Sequence, residues 1–383
     1  MTAFGEQARA LMRERGISLR RLAKQIDYDS GYLSKVLNGH KRPPLPMAER
    51  IDVALDAGGE LVALAESYRE PLLTSATIGS YPPHKGSVAP ELVMYFLEQL
   101  PGHYKADMWL GPRRLIPTVT TQAQLIEELA RAADAPVCRG LPGAGVAYAA
   151  LLGWLHQDAG DLRRSGYWRT AALDMAHRSG DPQLISYALT NKAMLAIDLD
   201  DGRVVVDYAE AALVGETALC PKVCVLALVH QALGHAMVPG TTRDTVDRLL
   251  DRAAGLLDQV DDEHPWGNAC RRTRGYIDIQ RATAYVRMGA YREVIALWDQ
   301  ILGSASESAK RDNGVFWARQ ATALAAFPEP ERVVQIASTT AAVVTDTGSA
   351  WVRRELRAVA RQAAAWGGIA PRRELDEILS VIA

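Results

Sequence analysis

The sequence predicts an all-α protein in two parts: a small basic helical bundle, then a long array of helical hairpins. Three observations carry this reading. Apolar residues recur at i, i+3 and i+4 through most of the 383 residues, and alternating strand patterns are nearly absent. Charge is uneven: residues 1–50 hold ten Lys/Arg against five Asp/Glu, whereas the remaining 333 residues hold 33 cations and 40 anions. Breaks centred on glycine recur about every 40 residues in the second part, a period typical of stacked hairpins.

Composition narrows the class. Hydrophobic residues are 48% and charged residues 23%, ordinary for a globular chain. The overall charge of −2 excludes a uniformly basic nucleic-acid coat, so the positive excess is local. No apolar run reaches membrane-spanning length and no signal peptide is evident. Four cysteines make no disulfide framework. The expectation is a cytoplasmic, reduced protein with no membrane contact.

In the first part, "GEQARALMRER" (5–15) places Ala8, Leu11 and Met12 on one face, and Gly16 ends the helix. Ser18 is the expected N-cap of a second helix whose Leu19, Leu22, Ala23 and Ile26 point inward. "DYD" (27–29) is a tight break. Asp29 then caps a third helix with Leu33, Val36 and Leu37 as its inward stripe. Ser30, Ser34 and Asn38 fall on its other side, with Gly31 and Lys35 beside them. Gly39 stops it, and a fourth helix over about 46–57 buries Met47 or Ala48, Ile51 and Leu55.

Two short helices joined by a tight turn form a helix-turn-helix unit. "SLRRLAKQIDYDSGYLSKVLNGHKRP" resembles the phage-repressor (Xre-like) helix-turn-helix family over residues 8–64. The resemblance implies binding to double-stranded DNA. The third helix would lie in the major groove, where all four base pairs are distinguishable. Ser30, Gly31 and Lys35 correspond to base-facing positions. Lys35 can donate to guanine, Ser30 to a base edge or phosphate, and Tyr32 to a phosphate or thymine methyl. His40, Lys41 and Arg42 follow the helix and would track the phosphates, as would Arg20 and Ser34; Asn38 completes the polar side. The family often pairs an Arg on the first helix with a Glu on the third. Met12 and Leu37 stand at those positions here, so packing replaces the ion pair.

The domain reading is a DNA-binding head over 1–68, a Pro-rich connector over 69–90 and a helical body over 91–383. Residues 67–90 carry four prolines with Gly, Ser and Thr, as an extended connector does. In the body, hairpins are expected around Gly160, Gly202, "VPGTT" (238–242), Gly289 and "FPEPE" (327–331), with final helices near 350–366 and 371–381. The array resembles a tetratricopeptide (TPR)-like stack, with "MGAYREVIALW" nearest the motif. Residues 91–138 lack the pattern and are expected to form an irregular helical start. Head and body together resemble bacterial repressor-type regulators, of actinomycete type in composition, with a TPR-like sensor that dimerises.

Chemistry-bearing motifs are sparse. Cys220 and Cys224 lie one helical turn apart with His230 and His235 nearby, but in an apolar run; core filling is the expected role and no metal is assigned. "GLPGAGVAY" (140–148) lacks the lysine and preceding strand of a phosphate loop and is read as a turn entering a helix. "HQD" (156–158) and "DDEH" (261–264) are read as polar turns. No catalytic set and no cofactor is expected. For a signalling peptide or small-molecule ligand, the inner-helix candidates are Tyr187, Asn191, Arg274, Asp278, Arg281, Trp317 and Gln320. The functional expectation is a homodimeric, sequence-specific transcription regulator that reads an operator with two half-sites. The alternative is a protein-binding TPR-like scaffold whose N-terminal module serves assembly.

Overall fold

A computed structural model of the protein describes residues 3–39, 41, 43–67, 88–132, 137–260, 274–306 and 309–382. These residues form nineteen α-helices and, among them, no strand. The chain divides into two compact units, 1–83 and 84–383. Most of the expected connector (69–87 of 69–90) lies outside the described residues, as do residue 68 and "DDEH" at 261–264.

The N-terminal unit has five helices: α1 (Ala3–Glu14), α2 (Leu19–Gln25), α3 (Ser30–Leu37), α4 (Leu45–Ala54) and α5 (Glu60–Ser67). Its core takes Ala8 and Met12 from α1, Leu22 and Ala23 from α2, and Leu33, Val36 and Leu37 from α3. Both Met47 and Ala48 of α4 are buried there with Ile51. Met12 and Leu37 share this core, so the apolar exchange stands as expected. The Ser18 hydroxyl accepts from the Arg21 N–H at 3.3 Å, and Asp29 Oδ1 accepts from the Tyr32 N–H at 2.8 Å. Asp27 closes the turn between α2 and α3 with φ 56, a conformation in which Asp is more tolerated than most residues. Asp52 was not anticipated from the sequence. Its buried carboxylate accepts from the N–H groups of Gly59, Leu61 and Val62 at 2.8, 2.9 and 3.3 Å, which fixes the entry to α5.

The second unit has fourteen helices. α6 (Glu91–Leu110) and α7 (Pro112–Ala132) precede α8 (Val137–Asp158), α9 (Leu162–Ser179), α10 (Pro182–Asp198) and α11 (Gly202–Ala212). Then come α12 (Pro221–Met237), α13 (Arg243–Gly255), α14 (Arg274–Arg287) and α15 (Tyr291–Gly303). The last are α16 (Lys310–Leu324), α17 (Pro330–Thr347), α18 (Ala350–Gln362) and α19 (Ala370–Val381). The hairpin breaks fall close to the places the sequence marks. Three readings need correction. Residues 91–132 form two long regular helices despite a proline inside each: α6 buries Phe96 and Leu100, and α7 buries the stripe Leu115, Val119, Ala123, Ile126 and Leu129. "GLPGAGVAY" lies inside α8; a Cβ on Gly145 would sit 2.9 Å from Met175 Sδ, so this glycine serves helix packing. Gly202 is the first residue of α11, not the turn. Asp200 takes the left-handed position (φ 60), and a Cβ on Gly202 would come within 2.7 Å of Met237 Cβ.

The first helix of each hairpin also packs on the first helix of the next: α8 on α10, α10 on α12, α12 on α14, α14 on α16 and α16 on α18. α18 then packs back on α8. Six helices therefore make a closed ring, a closure that the sequence reading of a TPR-like stack did not include.

Candidate functional site

In the N-terminal unit the candidate surface is the polar side of α3. Gly31, Lys35 and Asn38 are exposed, and Ser30, Tyr32 and Ser34 are half-buried. Lys41 and Arg20 are exposed; His40 and Arg42 lie outside the described residues. A cation–aromatic ladder flanks the first turn of α3. The Lys41 ammonium sits 5.1 Å from the Tyr32 ring, Tyr32 stacks on Tyr28 at 6.5 Å, and the Arg50 guanidinium lies 5.8 Å from Tyr28. Arg50 also donates to the Ile26 carbonyl at 3.0 Å, which ties α4 to the end of α2. Small or flexible donors at the start of an exposed helix, between ordered cations, are what a groove-reading helix presents.

Asn38 differs from its expected free position. Its Oδ1 accepts from Arg9 Nη2 at 2.7 Å, and its amide donates to the Ser34 hydroxyl at 3.4 Å. A polar link from α1 to the end of α3 thus exists one position beyond Leu37. Arg9, Tyr28 and Arg50 were missed. The four-residue spacing of Tyr28 and Tyr32 was the available signal; nothing local marked Arg9.

Residues 3–65 match the sequence model of a family described as "Helix-turn-helix domain". The N-terminal unit carries that domain. The match takes in α1 to α4 and most of α5, and ends before the second unit. No curated protein and no solved structure matches the chain.

In the second unit the ring borders an open-mouthed cavity of about 600 Å³, lined from α6, α8, α10, α12, α14, α15, α16 and α18. Its wall holds three buried polar groups of residues. In one, Arg311 bridges Asp107 at 2.7 Å and Asp158 at 3.2 Å. Asp158 also accepts from the Ser349 hydroxyl at 2.5 Å and the Trp351 N–H at 3.2 Å, which ties the end of α8 to the start of α18. The Trp154 indole N–H donates to Asp107 at 3.0 Å. In a second, Arg169 donates to the Asn191 carbonyl at 2.6 Å, to Asn191 Oδ1 at 2.9 Å and to Gln157. Gln157 donates to Asp198, which pairs with Arg354 at 2.6 Å. In the third, Arg319 holds Glu355 at 2.8 Å and donates to the Thr283 hydroxyl at 2.8 Å.

Burial dominates the electrostatics. It pushes the Asp158 carboxyl above the usual range, against the pull of Arg311 and Ser349. It lowers Arg169 to about 10 and His230 to about 4, the latter helped by the Arg169 charge. At Glu355 burial opposes ionisation, but Arg319 and Arg287 outweigh it and hold the carboxyl below its ordinary value. The Cys224 thiol rises to about 11 through burial and then the Glu216 charge, so it is no ready thiolate. Among the described residues no cluster of three or more His, Cys, Asp or Glu is arranged to hold a metal, and no helix is long and apolar enough to cross a membrane.

Of the sequence-derived candidates, Tyr187, Asn191 and Asp278 line the cavity. Three others do not. Arg281 is held by Asp247 and by Asp251 at 2.6 Å. Gln320 donates to Asp299 at 2.7 Å, and Trp317 packs on the C-terminal apolar cluster. The Arg274 side chain lies outside the described residues. "HQD" is not a polar turn: Gln157 and Asp158 are buried in the clasp just described, and His156 is buried beside them in sequence. Trp154, Asp158, Arg311 and Trp351 were missed because their partners are up to 193 positions apart.

Proposed function

We propose that the chain is a sequence-specific DNA-binding transcription regulator, acting as a homodimer, whose helical body receives a peptide or small-molecule signal. The observation that carries the DNA reading is the exposed start of α3, with Gly31 and Lys35 free of the core, inside the segment that matches a helix-turn-helix domain. One such helix reads only a few base pairs, so two copies on half-sites about one helical turn apart supply useful specificity. A cavity of about 600 Å³ within the ring favours a signal-receiving body over a scaffold for other proteins. The body is read as a TPR-like array that has closed on itself, and no catalytic role is assigned to it.

Fluorescence anisotropy on genomic fragments tests this reading. Binding should be salt-sensitive and prefer particular fragments. Lys35→Ala should weaken the preferred site on the order of tenfold or more, because a good base contact is worth roughly 1–3 kcal/mol. Random DNA should lose far less. Equal loss on both would make Lys35 a phosphate contact, and no sequence preference on any fragment would end the regulator reading.

A further inference from the structure

We infer that the ring cavity is the receptor site of the body and that its ligand is an uncharged, largely apolar small molecule with a flat aromatic portion, not an extended peptide. This rests on the reading of the body as the signal-receiving part. Three features of the cavity carry it: its size, its charge balance and its walls.

Size comes first. The volume of about 600 Å³ lies inside the roughly 300–1,000 Å³ of pockets that bury most of a small organic ligand. A sphere of that volume is about 10 Å across, and an extended chain advances about 3.3–3.6 Å per residue, so about three peptide residues would fill it. Packing of α18 on α8 removes the open groove in which a longer strand would lie.

Charge comes second. The buried ionic groups on the wall already have partners: Arg311 with Asp107 and Asp158, Arg319 with Glu355, and Asp198 with Arg354. A carboxylate on the ligand would be desolvated there without an uncommitted buried counter-charge, and Asp278, half-buried in the lining, is the acid that tests for a cation. An uncharged ligand avoids that cost.

The walls come third. Trp154 and Trp351 meet edge to face at 5.3 Å, and Leu226, Met194 and Phe316 extend the apolar lining. The Arg311 guanidinium lies 5.3 Å from the Trp154 ring and that of Arg319 lies 5.6 Å from Trp351. Cations on aromatic rings hold the indoles in place, and the remaining aromatic surface suits a planar π system. Ser304 and Ala305 also line the cavity; Ser304 is exposed and Ala305 half-buried, so they mark its rim.

Two dyes of one skeleton test the assignment on the full chain. N-phenyl-1-naphthylamine is uncharged; 8-anilino-1-naphthalenesulfonate adds a sulfonate. The uncharged dye should bind saturably, one per chain, and the sulfonate at least about tenfold more weakly, as an unpaired buried charge requires. Ala305→Trp should fill the rim and weaken the uncharged dye by about tenfold or more, with an unchanged circular-dichroism melt. If that variant fails to fold, Ser304→Trp, at the exposed rim position, takes its place. Asp278→Asn should leave dye binding unchanged.

Four results would overturn the inference: no saturable binding, equal affinity for both dyes, binding indifferent to the rim tryptophan, or displacement of the dye by a mixed heptapeptide pool. Loss of the uncharged dye's binding in Asp278→Asn would mean that this carboxylate, not the apolar wall, holds the ligand and would overturn it too. DNA binding is measured on the same samples. Dye failure with DNA binding intact rejects the ligand class alone, whereas absent DNA binding rejects the regulator reading.

Discussion

Asp158 is the residue whose loss should open the ring. It is fully buried and accepts from the Ser349 hydroxyl at 2.5 Å and the Trp351 N–H at 3.2 Å, while pairing with Arg311 at 3.2 Å. Asp158→Ala leaves two donors at the start of α18 without this acceptor, at about 1–3 kcal/mol each when they stay dry. Breaking a buried ion pair costs about 3–5 kcal/mol, but Arg311 keeps Asp107 at 2.7 Å, which reduces that share. Burial also raises the Asp158 carboxyl, so its removal returns some desolvation energy. The net expectation is a loss of about 4 kcal/mol. At about 2–4 °C per kcal/mol for a large domain, Tm should fall by about 10 °C. Asp158→Asn keeps an oxygen for Ser349 and Trp351 and should cost about half as much. Calorimetry of the full chain gives the shift, and amide hydrogen exchange locates it. Exchange should rise first at the start of α18 and the end of α8. A Tm change within about 3 °C, or faster exchange spread evenly over all hairpins, would refute closure by this clasp.

Other substitutions probe separate links of the argument. Asp52→Ala removes the acceptor of three N–H groups at the start of α5 and should destabilise the N-terminal unit by about 2–3 kcal/mol, read as faster exchange in α4 and α5; unchanged exchange there would show the cap to be redundant. Arg9→Ala cuts the link to Asn38 and should lower DNA affinity a few fold on all sequences alike, measured by anisotropy; a change in sequence preference instead would make Arg9 a base reader. His230 is lowered from 6.5 to about 4 by burial, so it folds neutral. The unfolded chain binds the extra proton, and the stability this supplies is present above pH 6.5 and lost as pH falls toward 4, by about 3 kcal/mol at about 1.4 kcal/mol per pK unit. His156 acts in the same direction, whereas the raised Asp158 and Asp198 oppose both. His230→Gln should therefore flatten the fall in Tm between pH 7 and 4.5; an identical slope in both proteins would remove His230 from the account.

What was legible in the sequence follows the range of the interaction that produces it. The core of the N-terminal unit was readable because each stripe is local: Leu33, Val36 and Leu37 declare one helix face within five residues, and Ser18 and Asp29 cap helices whose amides lie three positions on. The hairpin breaks were readable for the same reason, since Gly160 and Gly289 take left-handed conformations at the turns themselves. Gly202 misled because a glycine that admits Met237 of a neighbouring helix looks, in sequence, like a glycine that makes a turn. Tyr187, Asn191 and Asp278 were found because they occupy first helices of hairpins, which face the ring. Arg281 satisfied the same pattern and still turned to Asp247 and Asp251, a choice that only the position of α13 decides. Closure was the least legible feature. Asp158 reads as the end of one helix and Ser349 as the cap of another, and each has a sufficient local reason to be polar. That they meet depends on the summed curvature of four intervening hairpins, which no window of the sequence contains. The charge balance of the cavity depends on that same meeting. Hence the residues that set ligand chemistry were hidden, while those that set the DNA-reading surface were largely in view.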